Sequence, residues 1–463
     1  MKDKIKIHFI GISGIGMSGI AELMQDKGYQ IQGSDIILNE NTKRLKKKGI
    51  KFFLGHSKKN IQSVTAVVFS SAIKKNNPEI KAAVSKKIPI LSRADMLAEL
   101  MKSKKSIAIA GSHGKTTTTS MVGNILNQSN LDPTIVNGGI INSLSKNNKY
   151  GKGEWMVVEA DESDGSFLKL PHQISIITNL DIEHLDFYKS KDNLIKSFEN
   201  FVNLLPFYGT AIICFDDKNL KSIIKKNKTR NIITYSIKNK KADVFIYDIV
   251  KKTKKTSFKL SIKNNKITHN NNYKFILNAI GNHNVLNATS SIIASKLVGV
   301  NNILINRALK NYIGVKRRFS YLGKKNKAFI YDDYAHHPTE ISATLEAAKN
   351  LKNNIVVVFQ PHRYSRTKIL FNEFISVLSK ITNLIILDTY SAGEKLIKGS
   401  TSKDIYLKIS KKNKNVIYIK NLNYLEKKLI KYTITNNIII FMGAGSISNI
   451  AKKYINSWCR TNF

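Results

Sequence analysis

Cysteine is almost missing from this chain. Among 463 residues only Cys214 and Cys459 occur, far apart and with no histidine or cysteine at metal-ligand spacing. That excludes a disulfide framework and a zinc site, and leaves two thiols expected to be inert. Long apolar runs are missing as well, none approaching the roughly 18 residues that a membrane helix needs, which predicts a cytoplasmic protein with no membrane partner. The first 20 residues are basic and then apolar, like a secretion signal, but Gly11, Gly14, Gly16 and Gly19 interrupt them and no small-residue cleavage site follows. A strand followed by a helix is the expectation there. Acidic residues are scarce, 32 against 75 lysines and arginines, for a net charge of +43. Such an excess raises the question of nucleic acid. The lysines, however, are scattered (46–48, 58–59, 251–255, 324–327, 411–414) among Asn and Ile, with no basic stripe interleaved with aromatics, so they are expected to be solvated faces and no nucleic-acid partner is predicted.

What is present is the 42% hydrophobic content of a folded protein, on a chain too long for one core. Short apolar runs at 5–10, 30–33, 66–70 and 89–91 alternate with helix-competent stretches, the pattern of a parallel, helix-covered sheet. Strands are expected again at 155–159, 174–178 and 210–214, a short Lys/Thr-rich alternation at 238–273 suggests antiparallel edge strands, and a third set lies at 328–331, 355–359, 384–387 and 438–442. The fold class is therefore α/β in three domains: a Rossmann-like one (1–97), a central P-loop-type parallel sheet with an antiparallel edge (98–312) and a second Rossmann-like one (313–463). The polar stretch 101–105 is expected as a hinge.

The run from Ser106 to Thr119 is an apolar strand that breaks into Gly111-Ser112-His113-Gly114-Lys115-Thr116-Thr117, with a helix predicted over 117–128. It reads as a triphosphate cradle, because the glycines let backbone N–H groups approach phosphate, Lys115 adds a point charge and the Thr116 hydroxyl suits Mg²⁺. The spacing is not the usual GxxxxGK[ST], whose first glycine would fall on Ile109. Trp155–Glu159 is an apolar strand ending in an acid, and beside a phosphate loop Glu159 is the expected Mg²⁺ ligand, with Asp161, Glu162 and Asp164 as capping acids. The strand at 174–178 leads into Asn179-Leu180-Asp181-Ile182-Glu183-His184; if the three strands are parallel neighbours, their loops share one carboxyl edge and His184 could ligate a second metal. At the start, Gly11-Ile12-Ser13-Gly14-Ile15-Gly16-Met17 opens a helix after a strand, and Asp35 ends the next strand where a ribose-binding carboxylate would sit. The GxxGxG spacing favours a nucleotide diphosphate other than a dinucleotide.

In order along the chain, GISGIGMSGIAEL, SSAI with NPE (70–79), GSHGKTTTT, EADESDGSF, TNLDIEHLDFY, GNHNVLNA, GVKRRF, DDYAHHPTE and FQPHRYSRT closely resemble the Mur ligase family, over nearly the whole chain. The resemblance implies that the first domain binds a UDP-sugar, the central domain ATP, and that the third closes over both and helps bind an amino acid. Within the family it points to the branch joining L-alanine to UDP-N-acetylmuramate through an acyl phosphate, with a wall-recycling peptide ligase as the near alternative; the net charge of +43 leaves, from another class, a nucleic-acid-stimulated P-loop ATPase as a distant one. The cofactors implied are ATP and Mg²⁺, and the state a monomer or weak dimer. By the same resemblance Gly11, Ser13, Gly14, Gly16, Met17, Asp35, Ser70 and Ser71 fall to the UDP-sugar; Gly111 to Thr117, Asn284, Arg318 and Asp333 to the nucleotide; and Tyr334, His336, His362 and Arg366 to substrate. Lys115, Glu159, His184 and Arg363 are the expected catalytic residues, with Thr116, Glu159 and His184 on metal. Ser112 stands where Thr is usual and Ala335 where Gly is usual, and the lysine that some members carbamylate has no clear match.

Overall fold

The computed structural model describes residues 5–252, 254–264, 267, 272–351 and 353–456; Cys459 lies outside them. Three sheets carry the chain. The first holds β1 (Lys6–Ile10), β2 (Gln30–Asp35), β3 (Lys51–Leu54), β4 (Ala66–Phe69) and β5 (Ile90–Ser92), all parallel in the order 3-2-1-4-5. This is the doubly wound order expected of right-handed crossovers.

The second holds β6 (Lys105–Ala110), β7 (Thr134–Ile141), β8 (Lys146–Lys149), β9 (Trp155–Glu159), β10 (Ile174–Ile177), β11 (Thr210–Cys214), β12 (Asn231–Ser236), β13 (Val244–Lys251), β14 (Thr256–Ile262) and β15 (Asn272–Leu277). Their order is 15-14-13-12-11-10-6-9-7-8. Parallel pairing runs from β13 through β7, and β8 returns antiparallel to β7. At the other edge the link between β13 and β14 is too short for a crossover, so these neighbours are antiparallel. Backbone bonds from Lys252 to Lys255 and from Lys263 to Asp243 fit that register.

The third sheet holds β16 (Ser320–Lys325), β17 (Ala328–Asp333), β18 (Ile355–Phe359), β19 (Asn383–Leu387), β20 (Val416–Ile419) and β21 (Ile438–Met442) in the order 16-17-21-18-19-20, parallel except for β16. The chain gathers into two compact units, Met1–Val250 with Ser257–Asn278 and Asn284–Ile313, and Lys251–Thr256 with Ala279–His283 and Gly314–Phe463. The first and second sheets thus belong mostly to one unit. Among the described residues no helix is long and apolar enough to cross a membrane.

The expected hinge at 101–105 is mostly regular structure. Met101 and Lys102 end the helix Arg93–Lys102, Lys105 begins β6, and Met101 is buried. Residue 97, the expected end of the first segment, lies inside that helix. Within this unit the hairpin of β7 and β8 packs directly on the helix Ile15–Asp26, where Gly19 leaves room for the Asn148 amide and Asn147 donates to the Ile15 carbonyl. Cys214 is buried, and burial pushes its thiol up to about 12, as expected of an inert cysteine.

His172 lies against Phe201, ring centroids 4.3 Å apart, with Nδ1 2.8 Å from the Leu170 carbonyl oxygen. Burial pushes its imidazole down to about 4. The folded protein therefore refuses a proton that the unfolded chain accepts below about 6.5, so stability from this site is full above that pH and is lost as pH falls towards 4. His172→Gln is expected to lose about 2 kcal/mol less than the parent between pH 7 and pH 5. Urea unfolding at the two pH values checks this, and equal losses in both proteins would remove the assignment.

Candidate active site

β6 lies between β10 and β9 in parallel register, so the loops after all three strands emerge at one carboxyl edge. That is where ligands bind in such sheets. The loop after β6 turns at Gly111 (φ +130°) and Gly114 (φ +84°) and opens the helix Lys115–Gln128. A Cβ on Gly111 would fall 2.1 Å from Thr178 Oγ1, and one on Gly114 2.6 Å from Asn287 Oδ1. Neither position tolerates a side chain. The segment after β10 laces the loop in place: Asn179 Oδ1 accepts from the His113 amide (2.8 Å), Asn179 Nδ2 donates to the His113 carbonyl (2.9 Å), Thr178 Oγ1 donates to the same carbonyl (2.6 Å) and the Asp181 amide donates to Ser112 Oγ (2.9 Å).

Lys115 Nζ donates to the Gly111 carbonyl (2.6 Å), the Ser112 carbonyl (3.2 Å) and Glu162 (2.8 Å). Burial works against its charge, but the carboxylates of Glu162, Asp161 and Glu159 outweigh it and raise its pKa, so the ammonium is permanent. Glu162 is buried, and desolvation lifts it to about 7 despite Lys115. Glu162 was legible only as one acid in a capping cluster, and Asp161 and Asp164 do cap the turn, accepting from the Ser163 and Ser166 amides. Its pairing with Lys115 across 47 residues carries no local signal.

Thr116 Oγ1 donates to Glu159 Oε1 (3.0 Å), and the Gly138 amide donates to Glu159 Oε2 (2.6 Å). Burial raises the Glu159 pKa, a site held ready for a positive charge. A hydroxyl beside a carboxylate at the base of a glycine loop is a hard-oxygen donor pair that fits Mg²⁺ on a bound triphosphate. Thr117 follows in the first helical turn, and Asn284 lies in the first turn of the helix Asn282–Leu297. His184 has left-handed backbone (φ +56°), with Nε2 3.6 Å from Glu183 Oε2; the other Glu183 oxygen lies 3.5 Å from His113 Nε2, which also meets Asp181 Oδ2 at 2.9 Å. The structure thus places His184 in an imidazole and carboxylate cluster that includes His113, Asp181 and Glu183, residues not singled out as metal ligands from sequence.

In the first sheet Gly11 (φ +80°) turns the chain after β1, and its amide donates to the Ser34 carbonyl at 2.9 Å. The Ser70 Cβ would stand 3.1 Å from a Gly11 Cβ, Gly14 is the N-cap of the helix Ile15–Asp26, Gly16 lies in its first turn beside Arg93, and Ser71 is exposed. Two expectations change here. Asp35 is buried with Oδ2 accepting from the Ser13 amide (2.9 Å) and Oδ1 from the Ile37 amide (3.1 Å), so it holds the glycine loop to the next strand's exit and is not the open ribose acceptor expected. The Met17 side chain is core at 2% exposure, leaving only its backbone for a ligand.

The second unit gathers its own polar edge at the carboxyl ends of β17, β18 and β19. The Arg317 and Arg318 guanidiniums lie over the Tyr334 ring (4.8 and 5.3 Å), and Arg318 Nη1 meets Glu340 Oε1 at 3.2 Å. His336 lies 3.3 Å from the other Glu340 oxygen and edge-on to His362, which stacks on Tyr390 at 5.4 Å and meets Arg366 at 3.4 Å. Burial, and after it the neighbouring Arg366 and Arg363 guanidiniums, push the His362 imidazole down to about 4. Arg363 holds a left-handed backbone (φ +69°) before the helix Tyr364–Ile369, its amide donating to the Tyr390 carbonyl. Tyr390 lay outside the sequence motifs, because a tyrosine after an apolar strand has no signature. Asp333 is a correction of the same kind as Asp35: it is 4% exposed and accepts from the Phe319 amide (2.6 Å), the Ala335 amide (2.7 Å) and Thr344 Oγ1 (3.2 Å), so its carboxylate builds the turn carrying Arg317 and Arg318 and is not the open nucleotide contact expected.

Family models match in three consecutive stretches: the Mur ligase family catalytic domain at 6–105, the Mur ligase middle domain at 109–295, and the Mur ligase glutamate ligase domain at 317–445. The chain is 44% identical over 454 residues to a UDP-N-acetylmuramate–L-alanine ligase of Rickettsia felis, covering 96% of this chain and 95% of that one, and equally identical to its counterpart in Rickettsia prowazekii, covering 96% and 92%. Among solved structures, the UDP-N-acetylmuramate-alanine ligase MurC of Thermotoga maritima superposes with a TM-score of 0.82 at 28% identity, covering 99% of this chain and 100% of that one. A murein peptide ligase of Psychrobacter arcticus shares the fold at 23% identity and a TM-score of 0.72, covering 99% and 100%. Three matching domain models in order and relatives at this identity over nearly the full length place the chain in the Mur ligase family.

Proposed function

We propose that this chain joins the amino group of L-alanine to the lactyl carboxylate of UDP-N-acetylmuramate at the expense of ATP, in the cytoplasmic steps of peptidoglycan precursor synthesis. The observation that carries the chemistry is the Lys115 ammonium fixed inside the 111–114 loop, next to the Thr116 and Glu159 pair. We assign 1–97 to the UDP-sugar, 98–312 to ATP and 313–463 to the amino acid, in a monomer or weak dimer.

A carboxylate is a poor electrophile, so it first attacks the γ-phosphorus of ATP; the new carboxyl O–P bond forms as the bond to ADP breaks. Lys115 and the amides at the start of the helix Lys115–Gln128 neutralise the charge that passes to the leaving oxygen. Thr116 and Glu159 would hold Mg²⁺, which when bound supplies charge neutralisation on the triphosphate. His184, with Glu183 beside it, is our assignment for a second divalent cation. The alanine amine, having given up a proton, then attacks the acyl carbon and phosphate leaves with the C–O bonding pair. Arg363 or Arg366 binds the alanine carboxylate.

Phosphate release assayed with MgATP is expected only when UDP-N-acetylmuramate and L-alanine are both present, and to be indifferent to DNA or RNA. Release supported by the tripeptide L-alanyl-D-glutamyl-diaminopimelate but not by alanine would sink the alanine assignment. In the same assay Arg363→Ala or Arg366→Ala is expected to raise the KM for alanine about tenfold or more and that for ATP less than threefold, since a charge-assisted bond contributes about 1.5–3 kcal/mol. The reverse ranking removes the assignment.

A further inference from the structure

Glu79, in the helix Pro78–Ser85, is fully buried and lies outside every role assigned above. Ser34 Oγ donates to its Oε2 at 2.6 Å and Asn60 Nδ2 to its Oε1 at 2.6 Å, while His56 Nδ1 and His8 Nε2 lie 3.1 and 3.5 Å from Oε2. Burial pushes the carboxyl up, but the bonds from His8, Ser34 and Asn60 outweigh it and hold the group at about 2. An ionised carboxylate wrapped this fully is a poor way to stabilise a core, since an apolar replacement is often neutral or better. Its partners point to a different use.

Ser34 ends the β2 register next to the glycine turn, and its carbonyl accepts from the Gly11 amide (2.9 Å) and the Ile12 amide (3.1 Å). His56 follows the end of β3, where the Gly55 amide donates to the Asp35 carbonyl, and its side chain keeps 14% exposure. Leu54, in register with Asp35, and Ile36 are 65% and 70% exposed, an apolar lip at the same strand ends. Such a lip suits the flat face of a base.

We propose that Glu79 is a positioning residue of the UDP-sugar site: its carboxylate clamps Ser34, which sets the Gly11–Ile12 turn, and His56, whose Nε2 is thereby offered to the nucleoside diphosphate at the carboxyl edge of the first sheet. This rests on the reading of residues 1–97 as the UDP-sugar segment. Glu79→Gln keeps the shape and removes the charge; it raises the KM for UDP-N-acetylmuramate about tenfold, with the KM values for ATP and alanine within twofold and kcat within threefold. His56→Asn keeps a group near Nδ1 and removes Nε2. It weakens binding of UDP alone by calorimetry to the same degree without moving the Tm. Should Glu79→Gln fail to fold, His56→Asn decides. Unchanged UDP affinity in folded His56→Asn, or a parallel rise of all three KM values in Glu79→Gln, overturns the proposal. If the parent protein shows no dependence on the UDP-sugar at all, the functional reading falls first; dependence in the parent with unaffected variants defeats the positioning role alone.

Discussion

Lys115→Ala is expected to lower ligation by about 10³-fold or more while UDP-N-acetylmuramate still binds. The size follows from the removal of a fixed positive charge aimed at a transferring phosphoryl group, which typically costs 10²–10⁵-fold. The selectivity follows from place: Lys115 Nζ lies inside the 111–114 loop after β6, whereas the UDP-sugar assignment falls on the loops of the first sheet. The variant also leaves Glu162 buried without its cation. Burial holds the Glu162 carboxyl at about 7 even with Lys115 pulling it down, so loss of Lys115 raises it further and lets Glu162 take up a proton at neutral pH. The fold therefore avoids an unpaired buried charge and is expected to survive. Initial-rate phosphate release and calorimetric binding of the UDP-sugar, measured on the same preparation, check both halves. Equal loss of ligation and UDP-sugar binding in a folded variant would contradict the division of labour.

Gly111→Ala is expected to be nearly as damaging, through shape and not charge. The residue has φ +130°, which costs a side chain about 1–3 kcal/mol, and its Cβ would fall 2.1 Å from Thr178 Oγ1 and 3.0 Å from the Asn179 carbonyl oxygen. Overpacking adds about 1–3 kcal/mol, so a loss of about 2–6 kcal/mol in stability and of at least about 10²-fold in rate is predicted, since small misplacements of reacting groups are costly. Adding Thr178→Ala removes the nearest clash but not the backbone strain or the Asn179 contact, so the double variant should regain only part of the loss. Full recovery would show that the backbone at 111 is not strained, and no loss in the single variant would show that the loop moves freely.

The strands with continuous apolar character were readable one by one: β1, β6, β9, β10, β11, β18 and β21 stand within a residue of their expected places. Those that were missed have an evident reason. β8 is Lys-Asn-Asn-Lys, without a single residue of strand preference, and exists because β7 pairs with it and the helix Ile15–Asp26 packs against it. β3 is short and half-exposed, next to a lysine-rich helix end, and β16 is an antiparallel edge, so neither buries enough to show a pattern.

For the site, sequence by itself singled out the glycine turns, Lys115 and Thr116, because they are neighbouring residues whose spacing is set by one strand, one turn and one helix, and Glu159, because it closes an apolar strand; that Glu159 meets Thr116 from 43 residues away is tertiary. Family likeness extended that to His184 and the arginine and histidine clusters of the third segment. Only the tertiary structure decided that Asp35 and Asp333 spend their carboxylates on backbone amides, that Glu162 pairs with Lys115, and that Glu79 wires Ser34 to His56. In each case the deciding partner comes from another strand or helix, tens of residues away or across a sharp turn. A carboxylate's role depends on which donors surround it, and no local pattern records that.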